Sequence, residues 1–400
     1  MSEEKEPCVV LLVDDDEKVL HGLRRSLKTI EPKWQILTET KPMEALGLIE
    51  KHAIDVIVSD LRMPVMDGAD FLEKIQKRKP EIIRFVLSGQ AGQDLMIKSS
   101  AVAHRYLTKP CDVQMLAQAI REAMEMTHTL SDVRTKQQVS HLKQLPTMPM
   151  IYQALLEVLK NPQVNSATIE KVISQDPSMV LKIMQTANSA YFGVGGTIST
   201  LHEAIILLGV EIIKGLVLVG KIFEQHQHAE SRTVQIFWSH SIQTSTLAHH
   251  LYIKRMRNEE QAGEAFTAAM LHDIGKLIFY ETFETRYRKL LRTSKEESIP
   301  LWQLEKTTYG NSHAEVGAQL LHLWGLPSAI CEAVEFHHTP NAIQEKCFSC
   351  ATAVHIADAV AHAQSVFPYK GGMLDTAYLK ELGLPDSLEH WMYETQPAES

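Results

Sequence analysis

The strongest signal for the fold lies in the segment Asp55-Val-Ile-Val-Ser-Asp60-Leu-Arg-Met-Pro64-Val-Met-Asp67-Gly68. A run of three apolar residues ends close to Asp60, and a proline and an Asp-Gly pair follow at once. This pattern predicts a buried parallel strand that carries one carboxylate to the carboxyl edge of a sheet, followed by a turn. Ligands bind at this edge in open α/β sheets, so Asp60 is a candidate metal ligand, a candidate nucleophile, or both.

Apolar runs alternate with helical patterns on both sides of this stretch. The predicted strands are Val9 to Val13, Ile36-Leu37, Val56 to Val58, Ile82 to Leu87 and Arg105 to Leu107. Five βα units in chain order predict an α/β flavodoxin-like, doubly wound sheet of five parallel strands within residues 1–126.

The predicted strand ends supply one set of chemical groups to a single rim of this sheet. They are Asp14 and Asp15 after the first strand, Asp60 after the third, Ser88 after the fourth and Lys109 after the fifth. Three neighbouring carboxylates need a cation to stay ionised, and an all-oxygen site selects Mg2+. Asp60 would then attack phosphorus while Mg2+ and Lys109 neutralise the transferred oxygens. The alternative is an acidic cluster that only binds a structural cation.

Residues 1–126 resemble the receiver domain of bacterial response regulators along their whole length. The matching pieces are Val13-Asp14-Asp15, Asp60-Leu-Arg-Met-Pro64-x-x-Asp67-Gly68, Leu87-Ser88-Gly89 and Tyr106-Leu-Thr-Lys109-Pro110. The resemblance implies that Asp60 accepts a phosphoryl group from a histidine kinase. It also implies that Asp15, Asp60 and the carbonyl of Arg62 hold Mg2+, and that Ser88 and Tyr106 form a switch.

Helical periodicity continues beyond the predicted receiver. Apolar and small residues recur from Leu116 to Leu130 in steps of four, three, four and three, which is a heptad pattern. We expect residues 127–142 to continue the last receiver helix, either as the seam of a parallel homodimer or packed on the next domain.

An all-α block is predicted from residue 143 onward, after the break at Leu145-Pro-x-x-Pro149. Its ordered motifs include Asp176-Pro177, Ala187-Asn188-Ser189 and Ala204-Ile-x-x-Leu208-Gly209, with a capping box at Thr200-Leu-His-Glu203. Together these motifs resemble the signalling-output family called HDOD, over roughly residues 140–362. We place the HDOD output domain at residues 143–362, and two short helices with a disordered tail at residues 363–400.

Histidines and aspartates concentrate in the second half of the chain. Five of the nineteen histidines precede residue 200 and fourteen follow it. Imidazole and carboxylate groups on separate helices are what a metal site in a helical bundle requires, and mixed nitrogen and oxygen ligands suit Fe, Mn, Zn or Ni. The candidate ligands are His240, His272, Asp273, His313, His337, His338 and Asp358.

The order of these residues resembles the two-metal branch of the HD phosphohydrolase superfamily. That resemblance implies one ion on His240, His272, Asp273 and Asp358, a second on Asp273, His313, His337 and His338, and a phosphate contact at Lys276. Position 236 is Ile rather than the acid of three-metal members, and the Gly-Tyr-Pro signature of cyclic-di-GMP phosphodiesterases is missing. The output is therefore either a module that signals through protein contacts or a metal-dependent hydrolase of a nucleotide or cyclic dinucleotide. Histidines 226, 228, 249, 250, 322 and 362 fit no position and are predicted to be surface or packing residues.

The length, composition and net charge of the chain limit which classes of protein it can belong to. The 400 residues predict two or three domains, and 44% hydrophobic residues can form full cores. A net charge of -9 without a basic block argues against direct nucleic-acid binding. With no membrane-spanning run, no signal peptide and five scattered cysteines, we expect a cytoplasmic protein whose downstream signalling partner the sequence does not name.

Overall fold

The structure is a computed structural model that describes residues 8–88, 102–124, 150–159, 161, 164–187, 198–225, 232–365 and 367–395. The chain divides into two units, residues 1–153 with 322–325, and residues 154–321 with 326–400. The predicted coupling helix at 127–142, the break at residues 145–149, the loop after Asn188 and the last five residues lie outside the described ranges. The predicted domain boundaries therefore stay predictions.

The first unit is built on a parallel sheet with the strand order β2-β1-β3-β4-β5. The strands are β1 (Val9–Val13), β2 (Gln35–Glu39), β3 (Val56–Asp60), β4 (Ile83–Ser88) and β5 (Arg105–Thr108). Helices α1 (Glu17–Ile30), α2 (Pro42–Lys51) and α3 (Gly68–Arg78) alternate with the strands, and residues 113–124 form α4. The predicted doubly wound α/β fold is confirmed.

The strand order places the chain's switch point between β1 and β3. β1 pairs with β2 on one side and with β3 on the other, so the connections run in opposite directions from this point. Both strands are almost wholly buried because their apolar residues pack on both faces of the sheet. A crevice for ligands is expected at the carboxyl ends of these two strands.

The turn after β3 is as tight as the Asp-Gly pair predicts. A Cβ atom on Gly68 would lie 2.1 Å from the backbone carbonyl oxygen of Asp60, so only glycine fits there. The carboxylate of Asp67 accepts a hydrogen bond from the backbone N–H of Asp70 at 2.8 Å and caps α3. The sequence that ends β3 thus also fixes the start of the next helix.

The second unit is helical, as predicted. The helices described from residue 150 onward are α5 (Met150–Leu159), α6 (Ser166–Ile173), α7 (Pro177–Ala187), α8 (Leu201–Gln225), α9 (Arg232–Met256), α10 (Glu259–Leu271), α11 (Ile274–Glu296), α12 (Leu301–Tyr309), α13 (His313–Trp324), α14 (Ser328–Phe336), α15 (Cys350–Gln364), α16 (Thr376–Glu381) and α17 (Leu388–Glu394). A short 3-10 helix, Pro340–Ala342, lies between α14 and α15.

Two helices of the second unit form its centre. The apolar, Ala-rich faces of α10 and α15 are buried along nearly their whole length, and both helices pack against α9. A helix that is apolar on all sides belongs in a core. Polar side chains on these helices must therefore find partners inside the protein.

The capping box and the helix end that the sequence predicts near the start of α8 are both present. Thr200 and Glu203 exchange hydrogen bonds between side chain and backbone, which is a capping box. Gly209 leaves the helical conformation at φ 75° and ψ 166°, so the predicted helix end is present as a break inside α8. Within the described ranges, no helix has both the length and the apolar composition that crossing a bilayer demands.

Candidate functional site

The first candidate site is an acidic pocket at the carboxyl edge of the sheet. Asp14 follows β1, Asp60 ends β3 and Lys109 follows β5. The ammonium of Lys109 lies 2.6 Å from Oδ2 of Asp14 and 2.8 Å from Oδ1 of Asp60. Asp15 is exposed beside them, and one carboxylate oxygen each of Asp14, Asp15 and Asp60 lies within 4.8 Å of the other two. The structure thus brings these four predicted residues together.

The electrostatics of this pocket follow from partial burial. Burial raises the pKa of Asp60, and the nearby ammonium of Lys109 only partly opposes that shift. Burial would lower the pKa of Lys109, but its bonds to Asp14 and Asp60 outweigh burial and raise it. The carboxylates of this pocket offer only oxygen ligands, and they lie beside the ammonium of Lys109. Such a donor set fits Mg2+, which keeps several waters and uses one or two protein carboxylates.

The other predicted residues of the pocket are placed only in part. Arg62 lies in the loop after β3 with its side chain exposed, and its carbonyl as a ligand stays a prediction. Ser88 ends β4 and Tyr106 lies in β5, but their side chains lie outside what the structure describes. The predicted switch through these two residues is therefore untested.

The second candidate site is a histidine and aspartate cluster in the helical unit. Five segments of the helical unit contribute to it. The contributors are His240 in α9, His272 and Asp273 between α10 and α11, His313 at the start of α13, His337 and His338 after α14, and Asp358 in α15. All seven predicted residues meet in one place, although more than a hundred positions separate the first from the last.

One half of this cluster centres on His240. Its Nε2 lies 2.9 Å from Oδ1 of Asp358, 3.2 Å from Nε2 of His272 and 3.7 Å from Oδ2 of Asp273. Adjacent metal ligands at about 2.1 Å from an ion lie roughly 3.0–3.4 Å from each other, so the spacings to Asp358 and His272 suit one shared ion, and the spacing to Asp273 is somewhat longer.

The other half centres on His313. Its Nε2 lies 3.0 Å from Nε2 of His338 and 3.2 Å from Oδ1 of Asp273. Nε2 of His337 lies 3.9 Å from the same oxygen of Asp273. The carboxylate of Asp273 therefore faces both halves, as a ligand bridging two ions would.

Hydrogen bonds on the outside of the rings fix which nitrogen faces inward. Nδ1 of His272 donates to the carbonyl of Ala269 at 2.6 Å, and Nδ1 of His337 donates to the carbonyl of Val334 at 2.7 Å. With Nδ1 carrying the proton, the lone pair of each Nε2 points into the cluster. Oδ1 of Asp273 and Nε2 of His337 are buried without a hydrogen-bond partner, so the lone pairs of both atoms are available to a metal ion.

The protonation states of five cluster residues also suit metal ligation, whereas Glu305 and Asp273 raise the pKa of His313 against the effect of burial. Burial, with His362 nearby, lowers the pKa of His240 to about 3, and burial holds the pKa of His337 and His338 well below the usual range. Burial alone would raise the pKa of Asp273, but His272 and Lys276 hold it well below its usual range. Neutral imidazoles and ionised carboxylates are the forms that bind metal ions. The donor set therefore fits the one or two transition-metal ions expected from the sequence, without identifying the metal.

The surroundings of Lys276 differ from those expected of a residue that contacts a phosphate. Its ammonium is buried, 2.5 Å from Oδ2 of Asp273 and 3.1 Å from the hydroxyl of Tyr369. The ring of Tyr369 also faces this ammonium at 4.3 Å from its centroid. The phosphate contact stays a prediction.

Sequence reasoning missed several residues around the cluster. His362, predicted as a surface or packing residue, packs against Phe367 and also has its Nδ1 3.0 Å from Oδ1 of Asp358. Its spacing of four residues from Asp358 on one helix could have revealed it, since such residues share a face. Glu305 accepts a hydrogen bond from Nδ1 of His313 at 2.6 Å and another from Tyr287 at 2.5 Å, and no local signal marks that contact.

Comparison with known proteins identifies two domain types. The family model of the response regulator receiver domain matches residues 10–121, and that of the HDOD domain matches residues 145–340. An uncharacterized protein of Treponema pallidum (strain Nichols) is 26% identical over 215 residues, which cover 53% of this chain and 42% of that protein. The hydrogenase transcriptional regulatory protein HoxA of Cupriavidus necator is 34% identical over 120 residues, covering 30% of this chain and 24% of HoxA. The chain thus spans less than half the length of either relative.

A solved structure supports the fold of the helical part. An HDOD domain protein of unknown function from Geobacter sulfurreducens aligns with a TM-score of 0.51 and 22% identity. The alignment covers 68% of this chain and 90% of that one. At this identity the likeness concerns the fold alone.

Proposed function

Because this chain is a response regulator in which a receiver domain precedes an HDOD domain, we propose that phosphorylation of Asp60 switches an output that acts through protein contacts. A histidine kinase is the proposed phosphoryl donor. The histidine and aspartate cluster is proposed to hold a buried HD-type metal centre that stabilises the output domain. A downstream signalling protein is the proposed partner.

The acidic pocket supports the first step. A carboxylate oxygen of Asp60 attacks phosphorus, the bond from phosphorus to the donor's imidazole nitrogen breaks, and an acyl phosphate forms. The ammonium of Lys109 already lies within 2.8 Å of Asp60 and can move to an oxygen of the incoming group, where negative charge accumulates. A bound Mg2+ would supply further charge neutralisation at the carboxylates of Asp15 and Asp60.

The observation that carries the proposed output is the burial of the cluster. The side chains of His240, His272 and Asp273 are at most 1% exposed, and that of Asp358 is 3% exposed. Lys276 is held by Asp273 rather than directed outward. Structural metal sites are closed, whereas catalytic sites keep one position open to substrate. Burial on this scale favours a structural centre over turnover.

A second candidate function is supported by one feature, the position of Asp273 between both halves of the cluster. A carboxylate that bridges two ions is a recurring part of metal-dependent phosphodiester hydrolysis. This candidate is a phosphorylation-gated phosphohydrolase that acts on a nucleotide or cyclic dinucleotide.

Metal analysis combined with an assay of cyclic dinucleotide cleavage separates the two candidates. The full chain would be assayed with and without beryllofluoride, with His272→Ala and Asp273→Ala as site variants. His250→Ala, which changes a half-buried histidine of α9 outside the cluster, is the matched control. We expect bound metal that is lost in both site variants, without cleavage in any sample. Metal-dependent cleavage that disappears in both site variants would replace the proposal with the hydrolase.

The switch has its own test, because the predicted homodimer would respond to phosphorylation. Beryllofluoride is expected to change the assembly state of the full chain in sedimentation or light-scattering measurements. An Asp60→Ala variant that changes equally well would defeat the proposed role of Asp60.

A further inference from the structure

A buried histidine beside the cluster, His355, has both of its ring nitrogens hydrogen-bonded. It lies on α15 and is 2% exposed. Its Nδ1 lies 2.7 Å from the backbone carbonyl oxygen of His337, and its Nε2 accepts a hydrogen bond from the backbone N–H of Asp375 at 2.8 Å. The imidazole therefore lies between a residue of the cluster and the chain segment that follows α15.

The two partners of this ring fix its tautomer. A carbonyl oxygen only accepts hydrogen bonds and a backbone N–H only donates them, so the proton lies on Nδ1 and the lone pair on Nε2. Because the backbone N–H of Asp375 uses that lone pair, His355 has none left for a metal ion. The ring is therefore a hydrogen-bonded link between two parts of the chain and not a further ligand.

One end of this link acts on the candidate ligands His337 and His338. The carbonyl that accepts from Nδ1 of His355 belongs to the peptide bond between these two residues. Both residues follow the end of α14 at Phe336, and the last carbonyls of a helix have no partner within it. The proton of His355 supplies such a partner and so holds the peptide from which both imidazoles project.

The other end of the link holds the C-terminal segment, residues 375–394. Asp375 caps α16, since its side chain accepts a hydrogen bond from the backbone N–H of Tyr378 at 3.0 Å. The hydroxyl of Tyr378 lies 2.7 Å from that of Thr352, which is three residues before His355 on α15. The segment thus contacts α15 at two adjacent points, and the contact through His355 leads on to the cluster.

We propose that His355 is a positioning residue that couples the C-terminal segment to the half of the cluster that centres on His313. A bound metal ion then stabilises the segment, and the ordered segment strengthens metal binding. The inference rests on the proposed metal centre. Coupling between two sites is reciprocal, so both effects correspond to the same free energy. The C-terminal helices therefore respond to whether the ion is bound, although they supply none of its proposed ligands.

Amide hydrogen exchange of the full chain with and without Zn2+ tests this coupling. Zn2+ is a suitable probe because a site of imidazoles and carboxylates binds it more tightly than Mn2+ or Fe2+. In wild type, Zn2+ should slow exchange in α16 by about tenfold, within the usual range of such coupling. Tyr378→Phe is the matched control because it removes the other contact of the segment. Exchange in α16 should be faster in this variant, and Zn2+ should still slow it.

Two amide variants each break the link at one end. The amide nitrogen of an asparagine reaches the position of Nδ1, so His355→Asn keeps the bond to His337 and loses the bond to Asp375. A glutamine amide reaches the position of Nε2, so His355→Gln keeps Asp375 and loses His337. In both variants saturating Zn2+ should still slow exchange in α9 but no longer in α16. Zn2+ affinity, measured by competition with a chromophoric chelator, should fall about tenfold in both.

The outcomes separate the coupling from the metal centre. Slowing of α16 in either amide variant by as much as in wild type would overturn the role of His355 and leave the metal centre intact. Wild type that binds Zn2+ without slower exchange in α16 would overturn the coupling in the same way. Absence of Zn2+ binding to wild type would overturn the metal centre as well.

Discussion

The acidic pocket of the receiver and the histidine cluster of the HDOD domain both collect charged groups at the ends of secondary-structure elements, but they differ in access. In the pocket, Asp15 is exposed, and the side chains of Lys109 and Asp60 are 27% and 11% exposed. In the cluster, the carboxylates and most imidazoles are buried away from solvent. A group that exchanges phosphate with a partner protein must be reachable, whereas a group that ties helices together gains strength from exclusion of water.

Metal removal should have the largest effect and should act on one domain. A ligand at a thousandfold its dissociation constant adds about 4 kcal/mol to the free energy of unfolding. For a domain of this size that corresponds to roughly 10 °C in Tm. Calorimetry of the full chain before and after chelation should show the HDOD transition falling while the receiver transition stays. An unchanged HDOD transition after verified metal loss would contradict a structural centre.

Replacing Lys276 should change the free energy of unfolding by an amount close to that of metal removal. Lys276→Met leaves the carboxylate of Asp273 buried without its cation, and breaking such a buried pair costs about 3–5 kcal/mol. Lys346→Met is the matched control, since Lys346 pairs with Glu381 nearer the surface and should cost less than about 1 kcal/mol. Urea unfolding of the metal-free chain gives both values. An equal loss in the free energy of unfolding in the two variants would show that the buried Lys276–Asp273 pair stabilises the protein no more than a surface pair does.

Glu305→Gln should weaken metal binding without abolishing it. The glutamine keeps the size of the side chain but loses the charge that orients His313 through Nδ1. Loss of such a partner costs about 10–100-fold in metal affinity. Competition with a chromophoric chelator measures the change, and Tyr287→Phe, which keeps the carboxylate, should have a smaller effect. Wild-type affinity in Glu305→Gln would mean that His313 is oriented by packing alone.

Replacing Asp60 should give the smallest change in stability, and the size of that change depends on pH. Because the folded protein raises the pKa of Asp60, its contribution to stability is present below the ordinary pKa near 3.8 and is lost as pH rises through the folded value. In metal-free buffer, Asp60→Asn should therefore stabilise the receiver relative to wild type more at pH 7 than at pH 3.5. Thermal unfolding at the two pH values measures this difference. A gain that is larger at pH 3.5 would mean that Lys109 governs the carboxylate instead of burial.

The sequence predicted the sheet and most of the two sites because their signals are local. Apolar runs that end in a carboxylate, hydroxyl or lysine mark strand ends, and parallel strands bring those ends to one edge. The seven cluster residues could be named because their order along the chain matches a family pattern. That order says which residues meet but nothing about the distances between them.

The residues that were missed depend on how helices pack. Glu305 reaches His313 from the preceding helix, and Tyr369 reaches Lys276 from a segment 93 positions away in the chain. His362 lies beside Asp358 because the two residues are four positions apart on one helix, and Gly371 and Gly372 approach its ring closely. The contacts of Glu305 and Tyr369 leave no periodic signal, so only the folded structure reveals them. The burial of Lys276 could not be read from its motif for the same reason.

The most direct test of the central claim is to label the full chain with acetyl phosphate and Mg2+ and to locate the phosphoryl group by mass spectrometry. The account predicts one acid-stable, base-labile phosphoryl group on the peptide that contains Asp60. The label should be absent from Asp60→Asn and retained in Asp70→Asn, which changes an acid of α3 outside the pocket. A chain that takes no label, or an Asp60→Asn variant that takes as much as wild type, would contradict the account.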